Sequence, residues 1–277
     1  MNALAEMVRK KLIAGNIRLP ALPESMFEVK KILDDEEKGA ADIAKVIKSD
    51  QALSTAVIRI ANSSRFNSRG IKTSNLPMAI QRIGGKRTFE VLIAISSKVL
   101  LQVKDKQLQE NIRKSFQHAQ AVAVASQEIA RCLRDPASEE AFLAGFIHDI
   151  GLPAVICAVP DELLALSVHE RESVLDSLHR EVGGRLLAMW GMPSALIEIA
   201  SYHELEGDDR PSGKLIDYVD AANFLVNRMK AAASGETECD FLQSPAIARL
   251  GMSEAVLISV EMEVEEAVEE LQSAMSF

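Results

Sequence analysis

Cysteine, aromatic residues and long apolar runs are all scarce in this chain, and each shortage excludes a class of protein. The three cysteines, Cys132, Cys157 and Cys239, are odd in number and show no CxxC spacing. That excludes a disulfide framework and a zinc knuckle and points to reduced, structural thiols. No apolar run approaches the roughly 20 residues of a membrane span, and the start MNALAEMVRKKLIAG lacks a signal peptide's apolar core and cleavage site. The expectation is a cytoplasmic protein with no membrane partner. Aromatic residues make up only 4% of the chain against 48% hydrophobic residues, so a core must be packed from Leu, Ile, Val and Ala. That suits helices, and 277 residues are enough for one large or two small cores. There is no internal repeat, no low-complexity segment and no alternating β-branched stretch between turn signals, so the expected fold class is all-α.

Charge is unevenly spread. The net charge of -9 argues against bulk nucleic-acid binding. Residues 51 to 89 nevertheless carry seven bases (Arg59, Arg65, Arg69, Lys72, Arg82, Lys86 and Arg87) and no acid, while residues 251 to 277 carry seven glutamates and no base. Two solvated faces explain most such runs. The alternatives are that the two segments meet, within one chain or across a homodimer, or that the basic one receives an anionic partner. The terminal helix has an apolar seam of Leu257, Val260, Val264, Val268 and Leu271 that must be buried, with its acids biased toward the basic segment.

Periodicity and caps place the helices. Leu19-Pro20 and Leu22-Pro23 mark an extended entry to a helix ending near Leu33. Asp50 is a candidate N-cap for QALSTAVIRIA and Ser74 for MAIQRI, which Gly84-Gly85 stops. The polar stretch KDKQLQE is the best boundary, giving a first helical part over 1–104 and a second over 105–277, with the first packed against the second. In the second part Ile112, Ala119, Val122, Ile129 and Leu133 form one stripe with His118 beside it. His148 ends the apolar run AFLAGFI, His179 adjoins a stripe one turn before Gly183, and Leu196, Ile199 and Ala200 lead to His203. His169, among charges in VHERES, belongs on the surface.

His118, His148, Asp149, His179, His203 and Asp220 thus form a series of imidazoles and carboxylates, the ligand types that hold a hard or borderline divalent metal. Their convergence in one pocket, with His179 and His203 at its rim, is the expectation. The segments LPALPESMFEVKKIL, DIAKVIKSDQALSTAVIRIANSSRF and LPMAIQRIGGKRTFEVLIA, followed by HAQAVAVASQEIA, EEAFLAGFIHDIG, LHREVGGRLLAMWGMP and IASYHE, resemble the HDOD family of the HD phosphohydrolase superfamily. The resemblance covers about residues 17 to 204. It implies an HD-like multi-helix bundle with an N-terminal helical subdomain. It also implies a divalent metal (Fe, Mn, Zn or Mg) on His118, His148, Asp149 and Asp220, with His179 and His203 completing or extending the site. Active HD members commonly show HDIGK where this chain has Leu152, and the related HD-GYP enzymes carry a His-His pair where it has His203-Glu204. The HDOD family resembles a regulatory module more than an enzyme, which implies a bacterial signalling protein with a signalling partner or a phosphorylated small molecule. The alternative is a metal-dependent phosphohydrolase.

Overall fold

The structure is a computed structural model describing residues 3–13, 19–63, 66–67, 70–100, 103–207, 210–235, 240 and 243–275. Every regular element among them is an α-helix, and the chain divides into two compact units. One comprises residues 22–100 with 266–277, the other residues 1–21 with 101–265.

The unit of residues 22–100 holds α2 (Glu24–Leu33), α3 (Ala40–Ile47), α4 (Gln51–Ala61), α5 (Leu76–Ile83) and α6 (Gly85–Leu100). Its core is aliphatic, with Met26, Val29, Ile47, Val57 and Ile80 each fully buried. Asp50 caps α4 by accepting from the Leu53 amide at 3.0 Å. The cap of α5 is Asn75 rather than Ser74, because the Asn75 side chain reaches the Met78 amide at 3.0 Å. Gly84, at φ 95, then turns the chain directly into α6, a backbone angle that only glycine adopts cheaply.

The other unit carries the histidines. It comprises α1 (Ala3–Ile13), α7 (Lys106–Cys132), α8 (Ser138–Ile147), α9 (Gly151–Ala158), α10 (Pro160–Leu164), α11 (Val168–Met189), α12 (Ser194–Tyr202), α13 (Lys214–Ser234), α14 (Pro245–Leu250) and the start of α15 (Glu254–Met275). Residue 100 ends one stretch of the first unit, and α1 belongs with the histidine-bearing unit. Its Ala5 and Val8 are buried, and Arg9 donates to Glu181 and to the Ser177 carbonyl of α11 at 3.0 Å each. A short amphipathic helix followed by an extended entry does not reveal which core will take it. Trp190, at the end of α11, is fully buried and donates to the Pro20 carbonyl at 2.8 Å, fixing the same entry.

By length and composition alone Glu140–Ala158 could cross a membrane, with a mean hydropathy of 1.8. It is instead the α8–α9 pair of the core, 72% buried and interrupted at residues 148–150. On α15, Leu257, Val260 and Val264 are buried as a seam, while the side chains of Val268 and Leu271 lie outside the described residues. Glu261 of this helix pairs with Arg228 of α13, so at least one of its acids is answered inside its own unit rather than by the basic stretch of residues 51–89.

Candidate functional site

Close helix approach builds the site. A Cβ on Gly145 would lie 2.7 Å from the Val122 carbonyl and 2.8 Å from Ala123 Cα, so α8 presses on the backbone of α7 only because it has none. A Cβ on Gly151 would lie 1.8 Å from the His179 carbonyl, so the start of α9 rests directly on α11. Between these two crossings sit His148 and Asp149, on the open turn between α8 and α9.

Five of the six expected residues come together. The ring centroids of His118 and His148 are 5.4 Å apart, those of His148 and His203 5.0 Å, and those of His179 and His203 5.2 Å. Candidate ligand atoms of His118, His148 and Asp149 lie within 4.8 Å of one another, as do those of Asp149, His179 and His203. His179 and His203, expected at a rim, are buried.

Three rings are oriented by their own helices. Nδ1 of His148 lies 2.7 Å from the Gly145 carbonyl, Nδ1 of His179 3.2 Å from Leu175, and Nδ1 of His203 3.1 Å from Ile199. A carbonyl only accepts, so each Nδ1 carries the hydrogen and each neutral ring presents an Nε2 lone pair. These nitrogens face one carboxylate, with Nε2 of His148, His179 and His203 lying 3.8, 3.6 and 3.4 Å from Asp149. Acceptors facing an acceptor require a positive centre, either a proton or a metal ion. His148 Nε2 is fully buried with no hydrogen-bond partner, so the donor set fits a divalent cation.

Electrostatics agree with that demand. Burial pushes His118 down to about 3 and His148 down to about 4, and it also lowers His179. Burial works against the charged form of His203 too, but the Asp149 hydrogen bond and charge outweigh it and hold that ring above its ordinary value. Burial alone would raise Asp149, yet the surrounding imidazoles keep its carboxyl below the usual range. His203 is therefore the ring best able to carry a proton toward Asp149.

Asp220 is held by other donors. Its Oδ1 accepts from the Glu204 amide at 3.0 Å, and its Oδ2 accepts from Arg210 Nε and Nη2 at 3.2 and 2.7 Å. Neither group of ligand atoms within 4.8 Å includes it. Arg210 also binds Asp217 at 2.7 Å, and Asp217 in turn binds Arg249 at 2.7 Å. Glu204 reaches Asp220 from a left-handed backbone at φ 62, a conformation that costs a non-glycine residue on the order of 1 kcal/mol or more. A cavity of about 360 Å³ opens beside this network, lined by Glu204, Asp220, Asn223, Asn227 and Ser244 among others.

Arg210, Asn223 and Lys230 were not singled out in the sequence. Lys230 Nζ lies 2.8 Å from His118 Nδ1, and Asn223 donates to Glu204. Asp220, Asn223, Asn227 and Lys230 follow at spacings of three, four and three on α13, a helical face that could have exposed the last three. No such signal marks Arg210, which lies in an aperiodic loop. Of the basic stretch, Arg82 donates to the Ala61 carbonyl at 3.0 Å and Arg87 lies over the Phe66 ring at 5.5 Å. Arg59, Lys72 and Lys86 are exposed, and Arg65 and Arg69 lie outside the described residues.

The profile of the HDOD domain family matches residues 19–205. An uncharacterized protein of Treponema pallidum is 26% identical over 75% of this chain, and the chain spans only 42% of that protein's length. Among solved structures, a “Putative metal-dependent phosphohydrolase” from Shewanella amazonensis superposes with a TM-score of 0.77 at 19% identity, over 99% of this chain and 98% of its own. A “Putative signal transduction protein” from Marinobacter aquaeolei superposes with a TM-score of 0.65 at 17% identity, over 100% of this chain and 67% of its own. At these identities the structural likeness is one of fold.

Proposed function

Because the chain belongs to the HDOD domain family, we propose that it is a cytoplasmic signalling module whose His/Asp cluster binds a ligand without turning it over. The observation that carries this is the capture of Asp220 by Arg210 and the Glu204 amide. An HD-type centre would use that aspartate as its last ligand, and here a guanidinium and a backbone amide take three of its roughly four acceptor sites. The cavity beside the Asp220 network, with amide side chains at Asn223 and Asn227, can take a small ligand, and a phosphorylated molecule is the class we favour for the cluster. A signalling protein that reads the bound state is the corresponding partner.

Asp149, His148, His179, His203 and His118 would hold a divalent ion if one is bound. Such an ion supplies positive charge to phosphoryl oxygens and acidifies a bound water. This supports a second reading, a metal-dependent phosphohydrolase, favoured by the unpartnered His148 Nε2 and by the name given to the Shewanella structural relative.

Turnover separates the two. Purified protein supplied with Mn²⁺, Fe²⁺ or Mg²⁺ is incubated with aryl phosphates, aryl phosphodiesters and nucleotides, and released product is followed. The signalling reading expects no more product than an Asp149→Asn control releases. Hydrolysis that disappears in that control would replace it with the phosphohydrolase.

A further inference from the structure

Lys230 stands at an exposed edge of the cluster. His148, His179 and His203 are buried, whereas His118 is half-buried and Lys230 is exposed. The lysine folds its ammonium back onto the ring, with Nζ 2.8 Å from His118 Nδ1. An ammonium only donates, so that Nδ1 bears no hydrogen and its lone pair is used.

While Lys230 is an ammonium, this contact excludes metal ligation by His118 through either nitrogen. Ligation through Nδ1 needs the lone pair that Lys230 occupies. Ligation through Nε2 by the neutral ring leaves the hydrogen on Nδ1, which then donates and cannot accept from an ammonium. A divalent ion that engages His118 must therefore displace the ammonium, which then has three free donors beside the cluster.

We propose that Lys230 is an internal competitor for a divalent cation at His118 and, once displaced, the contact for an oxyanion such as phosphate. Cation and anion binding are thereby coupled through one side chain. The inference rests on the cluster being a ligand site, but not on whether it turns a ligand over.

Isothermal titration of Mn²⁺ into the wild-type protein and Lys230→Met, followed by inorganic phosphate into each Mn²⁺-loaded protein, tests both roles. Removing one charge-assisted hydrogen bond should tighten Mn²⁺ binding about tenfold. Loss of the ammonium should weaken phosphate binding by about the same factor. Unchanged or weaker Mn²⁺ binding in the folded variant overturns the competition, unchanged phosphate affinity overturns the anion contact, and no Mn²⁺ binding by either protein overturns the whole proposal. Histidine ¹⁵N spectra of the wild type provide a check that needs no variant. His118 should hold its hydrogen on Nε2 before Zn²⁺ is added and change on addition, and an Nδ1–H tautomer beforehand would contradict the proposal. Phosphoester hydrolysis would sink the signalling reading alone and leave this inference standing.

Discussion

Gly151→Ala puts the construction of the site to a severe test. The added Cβ would sit 1.8 Å from the His179 carbonyl and 2.7 Å from the Gly183 amide nitrogen. Both are backbone atoms of α11, so no flexible side chain can swing away. Reaching the 3.4 Å of ordinary contact requires the start of α9 and α11 to part by about 1.6 Å. Overpacking of this kind costs about 1–3 kcal/mol, and a clash with backbone belongs at the upper end. At about 2–4 °C per kcal/mol for a domain of this size, the melting temperature should fall by roughly 6 °C or more. The displacement falls directly on His148-Asp149, so candidate ligand atoms now within 4.8 Å of each other would separate. Calorimetry and Mn²⁺ titration of the variant measure the two effects. A melting temperature and Mn²⁺ affinity both equal to wild type would refute the claim that glycine contact between α9 and α11 sets the geometry.

Other perturbations reach different parts of the account. Arg210→Met leaves the buried Asp220 carboxylate without its cation, which should cost about 3 kcal/mol in urea unfolding, and a loss below about 1 kcal/mol would show the pair to be incidental. Trp190→Phe removes the bond to the Pro20 carbonyl and should cost about 1–2 kcal/mol, read from the urea midpoint. The Ala137 amide and the Tyr218 hydroxyl hold Asp135 below the ordinary carboxyl range. Its contribution is therefore present above the unfolded value of about 3.9 and lost as pH falls through the lowered folded value. Asp135→Asn should accordingly flatten the decline of melting temperature below about pH 4, and an unchanged decline would remove Asp135 as its source.

What the sequence disclosed and what it hid have separate physical causes. Helix positions follow from apolar spacing and caps, which are local, so Asp50 and Gly84 were legible, and Asn75 in place of Ser74 is a one-residue competition between neighbouring caps. His118, His148, His179 and His203 each lie beside an apolar stripe, and the burial of those stripes carries the rings inward together. Resemblance added the expectation that they share a purpose. The fate of Asp220 was not legible, because Arg210 reaches it from a loop whose path no periodicity describes. Lys230 was hidden for another reason. A lysine on a polar helix face usually points to water, and only the packing of α13 on α7 turns this one onto His118. The depth of His179 likewise depends on the helix crossing at Gly151, which spacing along one helix cannot give.

The account turns most directly on whether Asp220 serves Arg210 or an ion. Mn²⁺ titrations of Asp149→Asn and Asp220→Asn against the wild type answer this, since each change removes one carboxylate charge and keeps the side-chain volume. The account predicts that Asp149→Asn abolishes binding, while Asp220→Asn leaves the Kd within a small factor of wild type and lowers only stability. Equal loss of Mn²⁺ affinity in both variants would contradict it and restore Asp220 as a ligand of a catalytic centre.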